Sequence, residues 1–238
     1  MLSPRLQGCA AAVALAAAVT ACSDGSDNRP GGGGPTEPPP ISIETPNADR
    51  CEILDSENCM FPWPSSVFTV ADESTDTGRR INLAMESMPE NKAGVVVDPT
   101  EWNRNDGFSP SQSIVTQVPG LDLEETGVPP LGDLEQSLDI DAPVVVIRAS
   151  TGEPHLIFGE LDVHAEDSAD QTFIIRPMAQ FERGERYIVA LRNLKDGAGN
   201  LIEAPEVFRA FRDDTLTDNE AIEARRPAME DIFATLED

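Results

Sequence analysis

Lysine, histidine and tyrosine are scarce in this chain of 238 residues, which has two lysines, two histidines and one tyrosine. Acidic residues outnumber basic ones by 43 to 17, so the formal net charge is −26. A surface of that sign repels nucleic-acid phosphates and anionic lipid headgroups. The composition therefore excludes nucleic acid as a partner, and no basic patch can hold the protein on a membrane.

Complete catalytic motifs are also missing. The chain has no Gly-x-Ser-x-Gly hydrolase motif, P-loop, dinucleotide fingerprint or His-Glu-x-x-His pair. Either of the two histidines, His155 and His164, could serve as a base, but a solvated or hydrogen-bonded side chain is the commoner role. The sequence assigns no catalytic residue and leaves open whether the protein belongs to an enzyme.

The longest apolar run, residues 9–19, lies near the N-terminus and is too short to span a bilayer as a mature helix. Arg5 precedes it, and the small residues that follow lead to Cys22 in the sequence VTAC. This order is typical of a signal peptide, and VTAC resembles the lipobox of bacterial lipoproteins, whose cysteine is acylated. We expect residues 1–21 to be the signal peptide and Cys22 the lipidation site. An ordinary secretory signal, with Cys22 incidental, is the alternative.

Residues 22–40 contain a glycine run and a proline run and almost no apolar side chains, so they cannot join a core. We expect them to tether a lipid-anchored Cys22 to a folded body in the cell envelope. Ser23, next to the cysteine, resembles the sorting signal for the outer membrane, on its periplasmic or surface face. Cleavage would remove Arg5 and no acid, giving a mature charge of −27. Acyl chains would therefore provide the membrane attachment.

Only Cys51 and Cys59 then remain of the four cysteines. In an oxidising compartment such a pair favours a disulfide. A metal pair is the alternative, but a closed zinc site would lack further thiolate and imidazole ligands. No metal site is assigned. The many carboxylates leave weak calcium binding open, although no calcium loop follows Asp139 and Asp141.

Short apolar runs separated by turn residues predict a mainly β fold, an antiparallel Ig-like β-sandwich with short helices, over residues 41–215. Residues 144–147 and 173–175 are apolar on both faces, which indicates central strands covered on each side. The predicted strands are residues 67–70, 80–83, 95–97, 114–118, 144–148, 156–158, 172–176, 186–192 and 207–211.

Two helices are predicted. One contains Leu131, Leu134 and Leu138 at helical spacing, and the other is an amphipathic helix within residues 216–238, capped by Thr217 and Asp218. Pro227 is predicted to break or kink this second helix. The helix could dock on its own domain, but we expect it to lead to a further domain that this chain lacks.

The segment DPTEWNRNDGFSP, residues 98–110, combines polar and aromatic side chains. Asp98, Pro99 and Glu101 have the spacing of a capping box, and Asn105 to Gly107 form a turn. This pattern favours a structural role with the indole of Trp102 facing inward. The alternative is a ligand loop formed by Trp102, Arg104, Asp106 and Phe108.

Two resemblances follow from the motifs. Residues 174–202, IIRPMAQFERGERYIVALRNLKDGAGNLI, resemble the Ig-like domains of S-layer-type bacterial surface proteins, which places an Ig-like segment near residues 140–212. The motifs FPWPSSVFT, TGRRINL, DPTEWNRNDGFSP, VPGLDLEETG and RYIVALRNLKDGAGN resemble the N-terminal region of large secreted bacterial lipoproteins related to virulence-factor lipases. This second resemblance covers residues 51–238.

The lipase resemblance implies a non-catalytic, β-rich accessory domain of a lipid-anchored, secreted ester hydrolase. In that family the nucleophile, acid and histidine lie in a downstream α/β-hydrolase domain, and none of their motifs has a matching position here. We therefore expect a truncated chain whose partner is a hydrolase domain of the same or a parent chain. The alternative is a standalone cell-surface Ig-like lipoprotein with a binding or structural role.

The anchor can be tested by substitution. Cys22→Ala should abolish labelling with radioactive palmitate and move the protein from the membrane to the soluble fraction, because Cys22 carries the acyl chains. Cys9→Ala, which lies in the segment removed with the signal, should change neither result. A Cys22→Ala protein that sediments with membranes as wild type does would contradict the prediction.

Overall fold

The structure is a computed structural model that describes residues 38–55, 57–165 and 167–237. The predicted signal peptide, Cys22 and the tether as far as residue 37 lie outside the described residues.

Seven strands pair into three antiparallel sheets within the described part of the chain. The sheet orders are β1–β2, β3–β6–β5 and β4–β7. The prediction of a mainly β, antiparallel fold is confirmed. The strands are β1 (Thr69–Ala71), β2 (Arg79–Ile81), β3 (Ile114–Gln117), β4 (Val144–Arg148), β5 (Ile157–Leu161), β6 (Thr172–Pro177) and β7 (Tyr187–Leu191).

The main core receives side chains from two of the sheets. β6 is central in its sheet, as predicted, and its Phe173 and Ile175 are fully buried. Gly159 on β5 lies so close that a Cβ atom there would overlap the side chains of Val128 and Phe173, so the strand needs a glycine for this packing. The buried members of this core are Ile114, Leu121, Val128, Val144, Val146, Ile157, Phe173 and Ile175.

β4 differs from the prediction in its pairing. Among the named strands it pairs with β7 alone, although an isolated bridge joins Ile147 to Pro154. Both of its faces are nevertheless covered, since Val146 and Ile147 point to opposite sides and are 1% and 8% exposed. Its apolar sequence reflects this burial and not a central place in a sheet.

The predicted strand at residues 207–211 is wrong, because this segment lies in an α-helix. Val207, Ala210 and Phe211 are spaced for one face of a helix, and all three are buried against the C-terminal helix. A run of five residues fits either periodicity, and the packing partner decided between them. The α-helices are α1 (Leu123–Thr126), α2 (Glu206–Arg212) and α3 (Glu220–Glu237).

Two other predicted elements are also wrong. Residues 95–97 contribute only an isolated bridge between Val96 and Glu90. The helix predicted from the leucine spacing is only a 3-10 turn at Leu134–Leu138, and Leu131 is 62% exposed. Neither segment has enough packing on its apolar side chains to sustain the predicted element.

α3 runs without a break through Pro227, contrary to the prediction. It begins after Asn219, whose Oδ1 accepts a hydrogen bond from the backbone N–H of Ala221 at 2.9 Å, so the cap is not Thr217 or Asp218. Ile222 and Met229 are buried on either side of the proline. Burial of this face offsets the hydrogen bond that the proline cannot make.

α3 packs on the body of the domain through an apolar cluster and through two arginines. The first arginine, Arg225, donates to the carboxylate of Glu52, whose side chain is fully buried. Glu52 also accepts from the Ser65 hydroxyl at 2.6 Å. The apolar cluster consists of Ile43, Val207, Ala210, Phe211, Ile222 and Met229.

The second arginine, Arg226, joins α3 to the end of α2. Its guanidinium donates to the carbonyl oxygens of Ala210 and Thr215 at 3.3 and 2.7 Å. It also donates to the carboxylate of Glu223 at 2.8 Å, and this contact, with hydrogen bonds from Thr217, lowers the pKa of Glu223 to about 2. Glu223 therefore remains charged in the folded protein throughout the pH range in which unfolded carboxylates titrate.

The sulfur atoms of Cys51 and Cys59 lie 1.99 Å apart, at the distance of a disulfide bond. Within the loop that the two cysteines close, the backbone N–H of Glu52 donates to the carbonyl of Cys59 at 2.8 Å. The residue that pairs with α3 therefore lies inside the loop that the cysteines close.

Arg225→Ala should lower the free energy of unfolding by about 3–5 kcal/mol, because it leaves the buried Glu52 carboxylate without its cation. Urea denaturation measures the change. The matched control is Arg209→Ala, which breaks the exposed 3.0 Å pair with Glu203 and should cost less than about 1 kcal/mol. Equal losses for the two variants would contradict the assignment.

Candidate functional site

The loop at residues 98–110 folds by a short-range hydrogen bond and not by the predicted capping box. Oδ1 of Asp98 accepts from the backbone N–H and the hydroxyl of Thr100 at 2.9 and 2.6 Å, and these bonds lower the pKa of Asp98. Glu101 does not reach back to Asp98; it pairs with Arg104 at 3.0 Å in solvent. The turn that follows is a 3-10 helix at Trp102–Arg104.

Trp102 does not face inward, so its predicted role as the buried anchor is wrong. Its side chain is 47% exposed. The anchor is its neighbour Asn103, whose side-chain oxygen accepts from the backbone N–H of Leu83 at 2.8 Å. The amide nitrogen of Asn103 donates to the carbonyl of Leu83 at 3.0 Å. Because Asn103 takes the inward position of this turn, the adjacent indole lies at the surface.

The exposed indole forms one side of an apolar cleft of about 260 Å³. None of the side chains that line the cleft is charged, and the only polar group on them is the indole N–H of each tryptophan. The lining residues are Met60, Trp63, Leu83, Met88, Pro89, Val97 and Trp102.

Trp63 is held firmly on the other side of the cleft. Its backbone forms two hydrogen bonds with Val115 of β3, at 2.8 and 2.7 Å. Its ring packs edge-on against Phe108 with 5.0 Å between centroids, and it is tilted against Phe68 at 5.6 Å. The cleft therefore has one wall fixed to a strand and the other carried by an exposed 3-10 turn.

The predicted ligand loop is only partly brought together. Trp102 lines the cleft, and Phe108 packs behind Trp63. Arg104 and Asp106 are exposed and do not line the cleft. The backbone carbonyl of Arg104 accepts a hydrogen bond from Arg80, and that of Asp106 accepts one from Thr77. The two charged members therefore serve the loop structure, and the two aromatic members serve the cleft.

Most of the cleft was not predicted from the sequence. Trp63, Met60 and Met88 come from segments far from residues 98–110 in the chain, and no local pattern links them. The available signal was the aromatic and proline-rich FPWP motif at residues 61–64, which is unusual for a surface loop.

Acidic residues predominate beside the lining residues in the sequence. Within two residues of a lining residue, the chain carries four exposed carboxylates and one arginine, a net of −3. Arg104 pairs with one of these carboxylates. The carboxylates belong to Glu86, Glu90, Asp98 and Glu101.

The two histidines have different surroundings in the described residues. His155 bonds through Nε2 to the carbonyl of Ala179 at 3.0 Å and packs against Phe181 and Tyr187, whose rings also contact each other. The side chain of His164 is 90% exposed, and its Nδ1 lies 2.9 Å from Asp162. Neither ring has a serine, threonine or cysteine side chain as a hydrogen-bond partner in this part of the chain.

Residues 38–55, 57–165 and 167–237 hold no group of three or more His, Cys, Asp or Glu side chains that could bind a metal ion. The helices within those ranges are too short or too polar to cross a membrane. Comparison of the chain with protein-family models, curated proteins and solved structures finds no match in any of the three.

The two tryptophans should differ on truncation. Trp102→Ala should lower the free energy of unfolding by only about 2 kcal/mol, because nearly half of its surface already faces solvent. Trp63→Ala should cost about 3 kcal/mol or more, since it removes a packed aromatic contact with Phe68 and Phe108. Thermal and urea unfolding measure both. A larger loss for Trp102→Ala would return this residue to the role of structural anchor.

Proposed function

We propose that this chain is the N-terminal accessory domain of a lipid-anchored, secreted bacterial ester hydrolase. The domain takes no part in bond breaking; it positions a hydrolase domain of the same or a parent chain and supplies an apolar wall to the substrate cleft. The lipid on Cys22 holds it in the cell envelope, at the outer membrane. The signal ending in VTAC and the lipase-like motifs over residues 51–238 support this proposal.

The fold proposed for the domain is an Ig-like β-sandwich. Its support is that β3–β6–β5 and β4–β7, both antiparallel, contribute to one core. The turn at residues 196–200, within the segment that resembles bacterial Ig-like domains, also favours it: the backbone N–H of Asn200 donates to Oδ1 of Asp196 at 2.9 Å, and Gly199 has φ of +79°.

The observation that carries the functional proposal is the cleft between Trp63 and Trp102. The cleft offers a ligand an apolar surface on a chain with a net charge of −26, and ligand sites are commonly concave and mostly apolar. The described residues offer a surface for an apolar group but no nucleophile with a histidine beside it. Such a surface suits a domain that binds part of a substrate whose chemistry occurs elsewhere.

A second candidate function is a standalone binding lipoprotein of the cell surface. The observation that favours it is the cleft itself, whose lining in the described residues is apolar enough to hold an apolar ligand. The cleft could therefore bind a ligand with no hydrolase attached.

Activity measurements separate the two candidates. Residues 22–238 alone should not hydrolyse p-nitrophenyl octanoate, whereas the product of the complete gene should. In the complete product, Trp102→Ala should lower kcat/KM for the octanoate ester about tenfold and leave the acetate ester nearly unchanged, because only the longer chain reaches the cleft.

Ile140→Ser is the matched control, since Ile140 is an exposed apolar side chain outside the cleft and should not affect either ester. Hydrolysis by residues 22–238 alone would overturn the non-catalytic role. A gene that ends at residue 238 and yields no activity would favour the standalone lipoprotein.

A further inference from the structure

We propose that the cleft between Trp63 and Trp102 binds one uncharged acyl chain of medium length and rejects the corresponding fatty-acid anion. This inference deepens the proposed function and rests on it for the choice of ligand, because an ester hydrolase takes acyl esters as substrates and releases carboxylates.

The lining defines the chemistry of the occupant. Met60, Leu83, Met88, Pro89 and Val97 offer only thioether and hydrocarbon surface, and the tryptophans add two aromatic rings. A polar group buried there would lose its hydrogen bonds to water with few replacements, which makes polar ligands unfavourable. The flexible methionine side chains can adapt to an unbranched chain.

The volume sets the length of the chain. The cleft measures about 260 Å³, below the range of roughly 300–1,000 Å³ usual for drug-sized ligands. Taking a methylene group as similar in volume to a water molecule, about 30 Å³, the cleft holds about eight or nine carbon atoms. A single chain of about that length matches the volume of the cleft.

The charge of the residues beside the lining in the sequence favours an ester over an acid as the ligand. Four exposed carboxylates lie within two residues of a lining residue, against one arginine, and that arginine is already paired with Glu101. A fatty-acid carboxylate at the mouth of the cleft would be repelled by them, whereas an ester or alcohol headgroup would not. A carboxylate product would therefore bind the cleft more weakly than the ester does.

The chain supplies its own probe for this site. It has two tryptophans, and both line the cleft, so the intrinsic indole fluorescence reports on this site alone. The protein used is the full mature chain with Cys22→Ser, which removes the acyl anchor as a competing ligand. The ligands are 1-monoacylglycerols with chains of four to twelve carbons, and octanoate.

Monooctanoylglycerol should give a saturable blue shift of the fluorescence. Each added methylene should tighten binding about two- to fourfold, the upper figure being full burial, until the chain reaches about eight or nine carbons. Octanoate should bind at least tenfold more weakly at low salt, and the difference should shrink as salt screens the carboxylates. Asp98→Asn should strengthen octanoate binding and leave monooctanoylglycerol unchanged.

Two substitutions locate the site. Met88→Glu places a carboxylate in the lining and should abolish binding, with far-ultraviolet circular dichroism as the check that the variant folds. Trp102→Ala, at an exposed position, should weaken the binding of monooctanoylglycerol at least fivefold. The indole of Trp63 remains and still reports binding. Leu131→Ser, at an exposed apolar side chain outside the lining, should change nothing.

Several outcomes would overturn the inference: no saturable change with any chain, affinity independent of chain length, or octanoate bound as tightly as the ester. A fluorescence change with protein concentration alone would assign the cleft to a second copy of the chain. Binding by the Cys22→Ser protein that is absent from the lipidated protein would assign the cleft to the lipid of the anchor.

The binding measurement is independent of the hydrolase. If monoacylglycerols bind but the complete gene product has no esterase activity, the proposed function fails and the acyl site stands. If the product is an active esterase and the isolated chain binds no acyl ligand, the acyl site fails and the accessory role stands.

Discussion

The buried ion pair between Glu52 and Arg225 is the constraint on which the arrangement of the two ends of the domain depends. Glu52 lies in the loop closed by Cys51 and Cys59, and Arg225 lies on α3, so one interaction joins segments 173 residues apart. A carboxylate with no exposed surface is tolerable only with a cation and further donors beside it. The pair therefore fixes where α3 docks, and the apolar cluster around Ile222 supplies the attraction.

The cleft follows from the packing that begins in the same N-terminal segment. After the disulfide loop the chain pairs with β3 at Trp63, and this places one indole beside the main sheet. The loop at residues 98–110 brings the second indole, because Asn103 takes the inward position under the turn. A hydrogen-bonded asparagine thus takes the structural position, and the neighbouring tryptophan is left exposed at the cleft.

Local patterns predicted those elements whose sequence matched their burial. The central place of β6, with Phe173 and Ile175 buried, agrees with the apolar residues at 173–175. Predictions failed where a short apolar run fits two periods, as at Val207 to Phe211, or where tertiary packing outweighs an intrinsic preference, as at Pro227. The prediction that Trp102 faces inward was wrong for a related reason, since the sequence of a three-residue turn does not reveal which side chain faces inward.

The sequence by itself determined the antiparallel β class, the acidic surface, the one cysteine available to pair with Cys51 after signal cleavage and lipidation, and the presence of two tryptophans. These depend on composition and on neighbours a few residues away. Only the tertiary structure decided that α3 docks through Arg225 and that Trp63 and Trp102 share one cleft. Contacts between residues far apart in the chain depend on packing, and the packing is a property of the whole core, which no short segment encodes.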